Sequence, residues 1–195
     1  MASHRKLIGV VAGAAVVAVA AVALPLFQPW RLVTDTVVDE ALPGAVPTVA
    51  PSLMTTSSKA PPTISGEPSS TLVPSKDAGP AVLSKGTFVT HEHDTSGAVS
   101  IVRLADGSRI LRLQDLDTSD GPDLEVWLSD AKVVEGKAGW HVFDDGKARS
   151  LGQLKGNKGS QNYVIPSEVD LGDFSSVSIW CNRFNVSFGA AELKT

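Results

Sequence analysis

From Gly86 to Phe188 the chain alternates apolar and polar residues in short runs divided by Gly, Asp, Asn and Pro, a rhythm that commits the region to strands. The runs are "GTFVTHEH" (86–93), "AVSIVRL" (98–104), "SRILRLQDL" (108–116) and "LEVWLS" (124–129), followed by a strand near "WHVF" (140–143). "QNYVIP" (161–166), "VSIW" (177–180) and "FNVSF" (184–188) complete the set. Asp106-Gly107 between two alternating runs predicts a hairpin with a type I′ turn. No amphipathic helix of ten or more residues interrupts the series. Seven or eight short strands with turn residues between them predict an all-β, antiparallel sandwich or barrel over residues 85–195.

The rest of the chain has a different composition. Residues 7–30 carry no charge, and His4, Arg5 and Lys6 precede them. Residues 7–27 are long enough for a helix across a hydrocarbon core of about 30 Å, and Pro25 and Pro29 fall near its far end, where they stop a helix without breaking its middle. This predicts one transmembrane helix, with residues 1–30 acting as a signal anchor and the bilayer as its partner. The competing reading is a cleavable signal peptide cut after Ala23, because Ala21-Val22-Ala23 fits a small-x-small site. The apolar run exceeds the usual h-region of about 7–15 residues, which favours the anchor. The basic flank stays in the cytoplasm, so the expectation is a single-pass membrane protein with an extracytoplasmic C-terminal domain, secreted if the cut occurs.

Residues 31–40, "RLVTDTVVDE", read as a juxtamembrane segment, a helical extension of the anchor. Residues 41–84 hold eight prolines, thirteen Ser or Thr and no aromatic residue. Such a stretch buries too little apolar surface to offset chain entropy, so it predicts a disordered linker that holds the β domain away from the bilayer.

Residues 86–195 carry 11 Lys and Arg against 16 Asp and Glu, without a basic run. A net-acidic domain of this kind lacks the clustered cations that nucleic acid requires. No Ser/His/Asp or paired-carboxylate arrangement stands out, so no hydrolytic activity is assigned. "DLDTSDGPDLE" (115–125) is acidic enough to suggest calcium, but Ser119 stands at the fifth position and Asp120 at the sixth, so the EF-type spacing fails. "LKGNKGSQ" (154–161) lacks the Gly-Lys-Ser/Thr of a phosphate loop and reads as a long hairpin connection. Trp127, Trp140, Tyr163 and Trp180 suit a core better than a stacking platform. The sequon Asn185-Val186-Ser187 falls within a predicted strand, which counts against its use.

Cys181 is the single cysteine, so no disulfide forms within the chain. Two geometries fit its spacing. As part of a strand it shares a face with Val177 and Ile179 and extends an apolar stripe into the core. As part of a Cys181-Asn182-Arg183 turn it sits at a sheet rim, where Arg183 favours the thiolate. His91 and His93 fall on one face of a strand, two residues apart. With a cysteine they suit copper or zinc, and a polar strand end is the plainer reading of the pair.

Several fragments in fixed order carry a resemblance. They are "GTF" (86–88), "HDTSG" (93–97), "LQDLDTSDGPDLEVWLS" (113–129), "LGQLKGNKGSQNYVIP" (151–166) and "VSIWCNRFNVSFGAAEL" (177–193). Together they resemble the electron-transfer DM-thirteen domain family over residues 85–193. The resemblance implies a β-rich extracytoplasmic domain in a cell-surface redox chain. It also implies that Cys181 is the family's single cysteine, acting as a bare redox thiol or holding a prosthetic group, and it favours the turn geometry. It leaves the cofactor open between none, a haem and a metal. A redox partner protein is implied, since no cytochrome-like or haem-binding domain accompanies this one. The alternative is a non-enzymatic cell-surface or cell-wall binding module in which Cys181 is structural.

Overall fold

The computed structural model describes residues 15–25, 28, 34–44 and 79–195. The strands are β1 (Val37–Asp39), β2 (Ala81–Thr90), β3 (Ser96–Arg103), β4 (Arg109–Asp117), β5 (Leu124–Ser129), β6 (Ala148–Gln153), β7 (Lys158–Ile165), β8 (Ser176–Cys181) and β9 (Val186–Glu192). They form one nine-stranded sheet in the order β1-β7-β4-β3-β2-β9-β8-β5-β6. The fold is therefore mostly β, as the alternation predicts, but it is a single curled sheet, a half-barrel, in which β2 belongs to both halves. Its first part pairs with β3, and Phe88–Thr90 pair with β9. The curl brings Val99, Ile101, Leu111 and Leu113 from one half against Leu124, Val126, Val177 and Ile179 from the other, in one core.

Eight of the strands pair antiparallel, whereas β1 pairs with β7 in parallel, an exception to the expected all-antiparallel sheet. The β3–β4 hairpin forms at Asp106-Gly107, but only Gly107 has positive φ (85°), so the turn is not type I′. Asp106 instead accepts from both the backbone and the hydroxyl of Ser108. "WHVF" is not a strand. Residues 130–147 form a loop with a 3-10 turn at Gly136–Gly139, and it lies over the outer face of β5, β8 and β9. Phe143 from this loop is fully buried beside Trp180 and Ala190. Apolar content alone made this lid resemble a strand.

β8 is consequently buried on both faces along its whole length. Val177, Ile179 and Cys181 face the main core, while Trp180 packs beneath the loop. The intervening serines remain buried because each hydroxyl has a partner. Ser176 Oγ donates to the carbonyls of Ser129 and Ala131, and Ser178 Oγ donates to Ser187 Oγ.

Near the N-terminus, residues 15–25 are helical, and among the described residues no helix is long and apolar enough to cross a membrane. Residues 7–14 and 26–27 of the expected span lie outside the described residues, as do 45–78 of the expected linker. Val37–Asp39, expected as a helical extension, form a strand instead. β2 begins at Ala81, four residues before the start that composition indicates.

Candidate functional site

Cys181 is the last residue of β8, paired with Leu124 on β5 and Val186 on β9. It is 0% exposed. The connection to β9 is a four-residue turn, Asn182–Asn185, and Cys181 is not part of it. Of the two geometries that spacing allows, the structure has the apolar stripe and not the rim turn. Burial pushes the thiol up from its ordinary pKa, and the negative charges of Asp123 and Glu92 act in the same direction. Backbone N–H groups of Phe184 and Arg183 oppose them. The resting group is a neutral thiol, a weak nucleophile. It is also close to the surface along the chain. Arg183, Phe184 and Asn185 are exposed, and the turn is held by Asn182 N–H to Asp123 (3.0 Å) and Phe184 N–H to the Cys181 carbonyl (3.3 Å).

A prosthetic group does not fit at Cys181 as it stands. The side chain is buried in the core cluster with Leu124 and Val186 and has no exposed surface. A groove of 710 Å³ crosses β2 and β3, lined among others by Val82, Lys85, Thr87, Gln114, Glu192 and Lys194, and Cys181 does not reach it.

His91 and His93 do not share a strand face. β2 ends at Thr90, and residues 91–93 form a bend. His91 is buried, with Nδ1 2.8 Å from Ser187 Oγ and Nε2 3.1 Å from the Val134 carbonyl. A carbonyl only accepts, so Nε2 carries the proton and Nδ1 accepts from Ser187, whose oxygen in turn accepts from Ser178. Burial lowers the His91 pKa, against the Val134 carbonyl, which favours the charged form. The imidazole is neutral with both nitrogens occupied. His93 lies over Phe188 with ring centroids 4.0 Å apart. Among the described residues no group of three or more His, Cys, Asp or Glu could hold a metal ion.

The Ser178-Ser187-His91 chain escapes sequence reasoning because its members are up to 96 residues apart, and serines on strands are ordinarily solvent-facing. The aromatic residues follow the core reading. Trp180 and Tyr163 are buried, and Trp127 stacks on Trp180 at 5.2 Å. In the acidic stretch 115–125, Asp117 accepts from Lys158, Asp123 from Gln153, and Glu125 from Trp127 and Ser150. Asn185 lies in the exposed turn with φ 50°, not within a strand, so the argument against its sequon lapses.

A family model described as Electron transfer DM13 matches residues 87–193, more than half of the chain and all of β3 to β9. No curated protein and no solved structure matches the chain.

Proposed function

Because this chain belongs to the Electron transfer DM13 family, we propose that it is an electron-transfer component held at the outer face of a membrane by its N-terminal segment, with Cys181 as the redox group. Family membership supports the electron-transfer reading. The charge-free run 7–30 behind His4, Arg5 and Lys6 supports the anchor and its orientation. The observation that carries the cysteine's role is its place at the end of β8, one four-residue turn from solvent. Opening that turn delivers the thiol to water. There it loses its proton and attacks a disulfide of a partner protein, one S–S bond forming as the other breaks and the partner's second sulfur leaving as a thiolate.

A second reading is favoured by one specific observation, the complete burial of a neutral thiol. In it the domain is a binding module and Cys181 a packing residue. Purified full-length protein and its Cys181→Ser variant, titrated with a disulfide of defined potential and analysed by mass, separate the two. The first reading expects a mixed disulfide on the folded wild type only. Absence of any adduct on the folded protein, together with a featureless visible spectrum and no bound metal, leaves the binding module. Retention in membranes after an alkaline wash, lost on deletion of residues 7–27, tests the anchor.

A further inference from the structure

We propose that the β7 edge and the loop before it form a binding site for an extended acidic segment, occupied in cis by residues 35–41 of the same chain. The site is a latch that holds the N-terminal segment to the domain independently of the covalent linker between them.

The contacts are numerous for so short a strand. Val37, Val38 and Asp39 lie in register with Lys158, Gly159 and Ser160. Glu40 N–H donates to the Ser160 carbonyl and Lys158 N–H to the Thr36 carbonyl. Both ends of the segment are held by side chains. At one end Asn157, only 1% exposed, accepts from Thr36 N–H (2.7 Å) through Oδ1, while its Nδ2 donates to Asp35 and to the Thr118 carbonyl, both at 2.8 Å. At the other, the Glu40 carboxylate receives the Lys155 ammonium (2.8 Å) and the Asn162 N–H (2.8 Å). Arg112 donates to the Glu40 carbonyl, and the Asn162 amide donates to the Ala41 carbonyl. The Lys155 bond holds the Glu40 carboxyl below its ordinary pKa, so the carboxylate is charged at neutral pH.

The receiving surface is shaped for a backbone. A Cβ on Gly156 would overlap the Thr36 carbonyl oxygen and stand 2.8 Å from Val38 Cγ2. On Gly159 it would overlap the Val38 carbonyl oxygen. Two bare positions three residues apart, both against the same strand, let β1 approach where side chains would hold it off. "KGNKG" (155–159), which resembles a phosphate loop only in its glycines, is thus a cradle for a peptide. The cradle lies within the family-matched region, and its occupant lies outside it.

The test is made on the full chain in detergent solution, with a protease recognition sequence placed in residues 55–66. After cutting, the N-terminal fragment stays with the domain through native gel filtration. Gly156→Ala, whose Cβ has its three nearest neighbours in Thr36 and Val38, speeds release of the fragment by at least about tenfold, roughly 1.4 kcal/mol, and leaves the circular dichroism and melting of the domain in place. The wild-type fragment releases faster in high salt than in low, whereas Glu40→Gln releases faster than wild type in low salt and responds less to added salt. Immediate separation of the wild-type fragments overturns the latch. An uncut protein that runs as a dimer, and as a monomer once Gly156→Ala is made, overturns occupation in cis and assigns the segment to a second copy.

Discussion

Reactivity of Cys181 in the folded protein is the quantity that decides its role, and its size follows from the turn. Freeing the sulfur without unfolding the sheet breaks the Asn182–Asp123 and Phe184–Cys181 bonds and the last rung between Cys181 and Val186. Three hydrogen bonds are worth about 1 kcal/mol each in net terms. Uncovering the Cys181 and Val186 side chains costs about 1.5–2 kcal/mol apiece. The two strand residues regain about 1–2 kcal/mol each of backbone freedom, which leaves an opening cost of about 2–5 kcal/mol. A thiol-specific reagent therefore reacts with native Cys181 about 30 to 4,000 times more slowly than with a cysteine in an unstructured peptide, at about 1.4 kcal/mol per factor of ten. Global unfolding, at about 5–15 kcal/mol, would suppress labelling much further. Urea distinguishes the routes, because a turn opening exposes little surface and its rate barely responds to low denaturant, while a global route follows the full unfolding slope. Labelling within tenfold of the free peptide would refute the packed position of the sulfur. Labelling that carries the full urea dependence would refute the hairpin route and with it the redox thiol.

Three further outcomes follow from the packing. Burial lowers the His91 pKa, so between that value and the unfolded value of about 6.5 the unfolded chain binds more protons. Stability is fully present above pH about 6.5 and falls as the pH drops through this window, a loss that urea midpoints should show in wild type and show weakened in His91→Asn. A Cβ on Gly189 would lie 2.5 Å from Thr95 Cβ and Cγ2, and Thr95 is itself fixed by Thr118 Oγ1 and the Phe188 carbonyl. Gly189→Ala should therefore destabilise by about 1–3 kcal/mol in thermal melts, and an unchanged melting temperature would contradict the contact. Burial raises Tyr163, the single tyrosine, to about 12, so ultraviolet titration should show no phenolate until well above the ordinary tyrosine range.

The sequence carries the strands whose two faces differ. In β3 and β4 the main core receives Val99 and Ile101, and Leu111 and Leu113, each pair two residues apart as the period requires, although Ser100, Val102 and Ile110 are buried as well. It does not carry β6, "ARSLGQ", an edge strand exposed along most of its length and without an inward stripe. Nor does it carry β1, whose three residues are too few for any period and whose partner is set by tertiary contacts. For the candidate site, the spacing of Val177, Ile179 and Cys181 allows the core face that the structure has, and equally the rim turn that the resemblance favours and the structure lacks. What spacing could not supply is the second layer, since the 130–147 loop folds over the opposite face of β8 and turns a half-buried strand into a wholly buried one. The histidines mislead for a related reason. Period-two reasoning holds only while the strand lasts, and β2 ends one residue before His91.

The pairing of β1 with β7 also fixes an order of events in time. Thr36 and Asn157 are 121 residues apart, so at synthesis rates of about 5–20 residues per second the first strand waits about 6–24 s for its partner to exist. The β2–β3 and β3–β4 hairpins need only neighbours and can form meanwhile. Closing so wide a loop adds only about 2 kcal/mol over a hairpin-sized one, because the entropy grows with the logarithm of length. The strand nearest the N-terminus thus docks only after β7 has been made, and β8 and β9 follow β7 in the chain. Its docking reports that the β7 half of the sheet is in place.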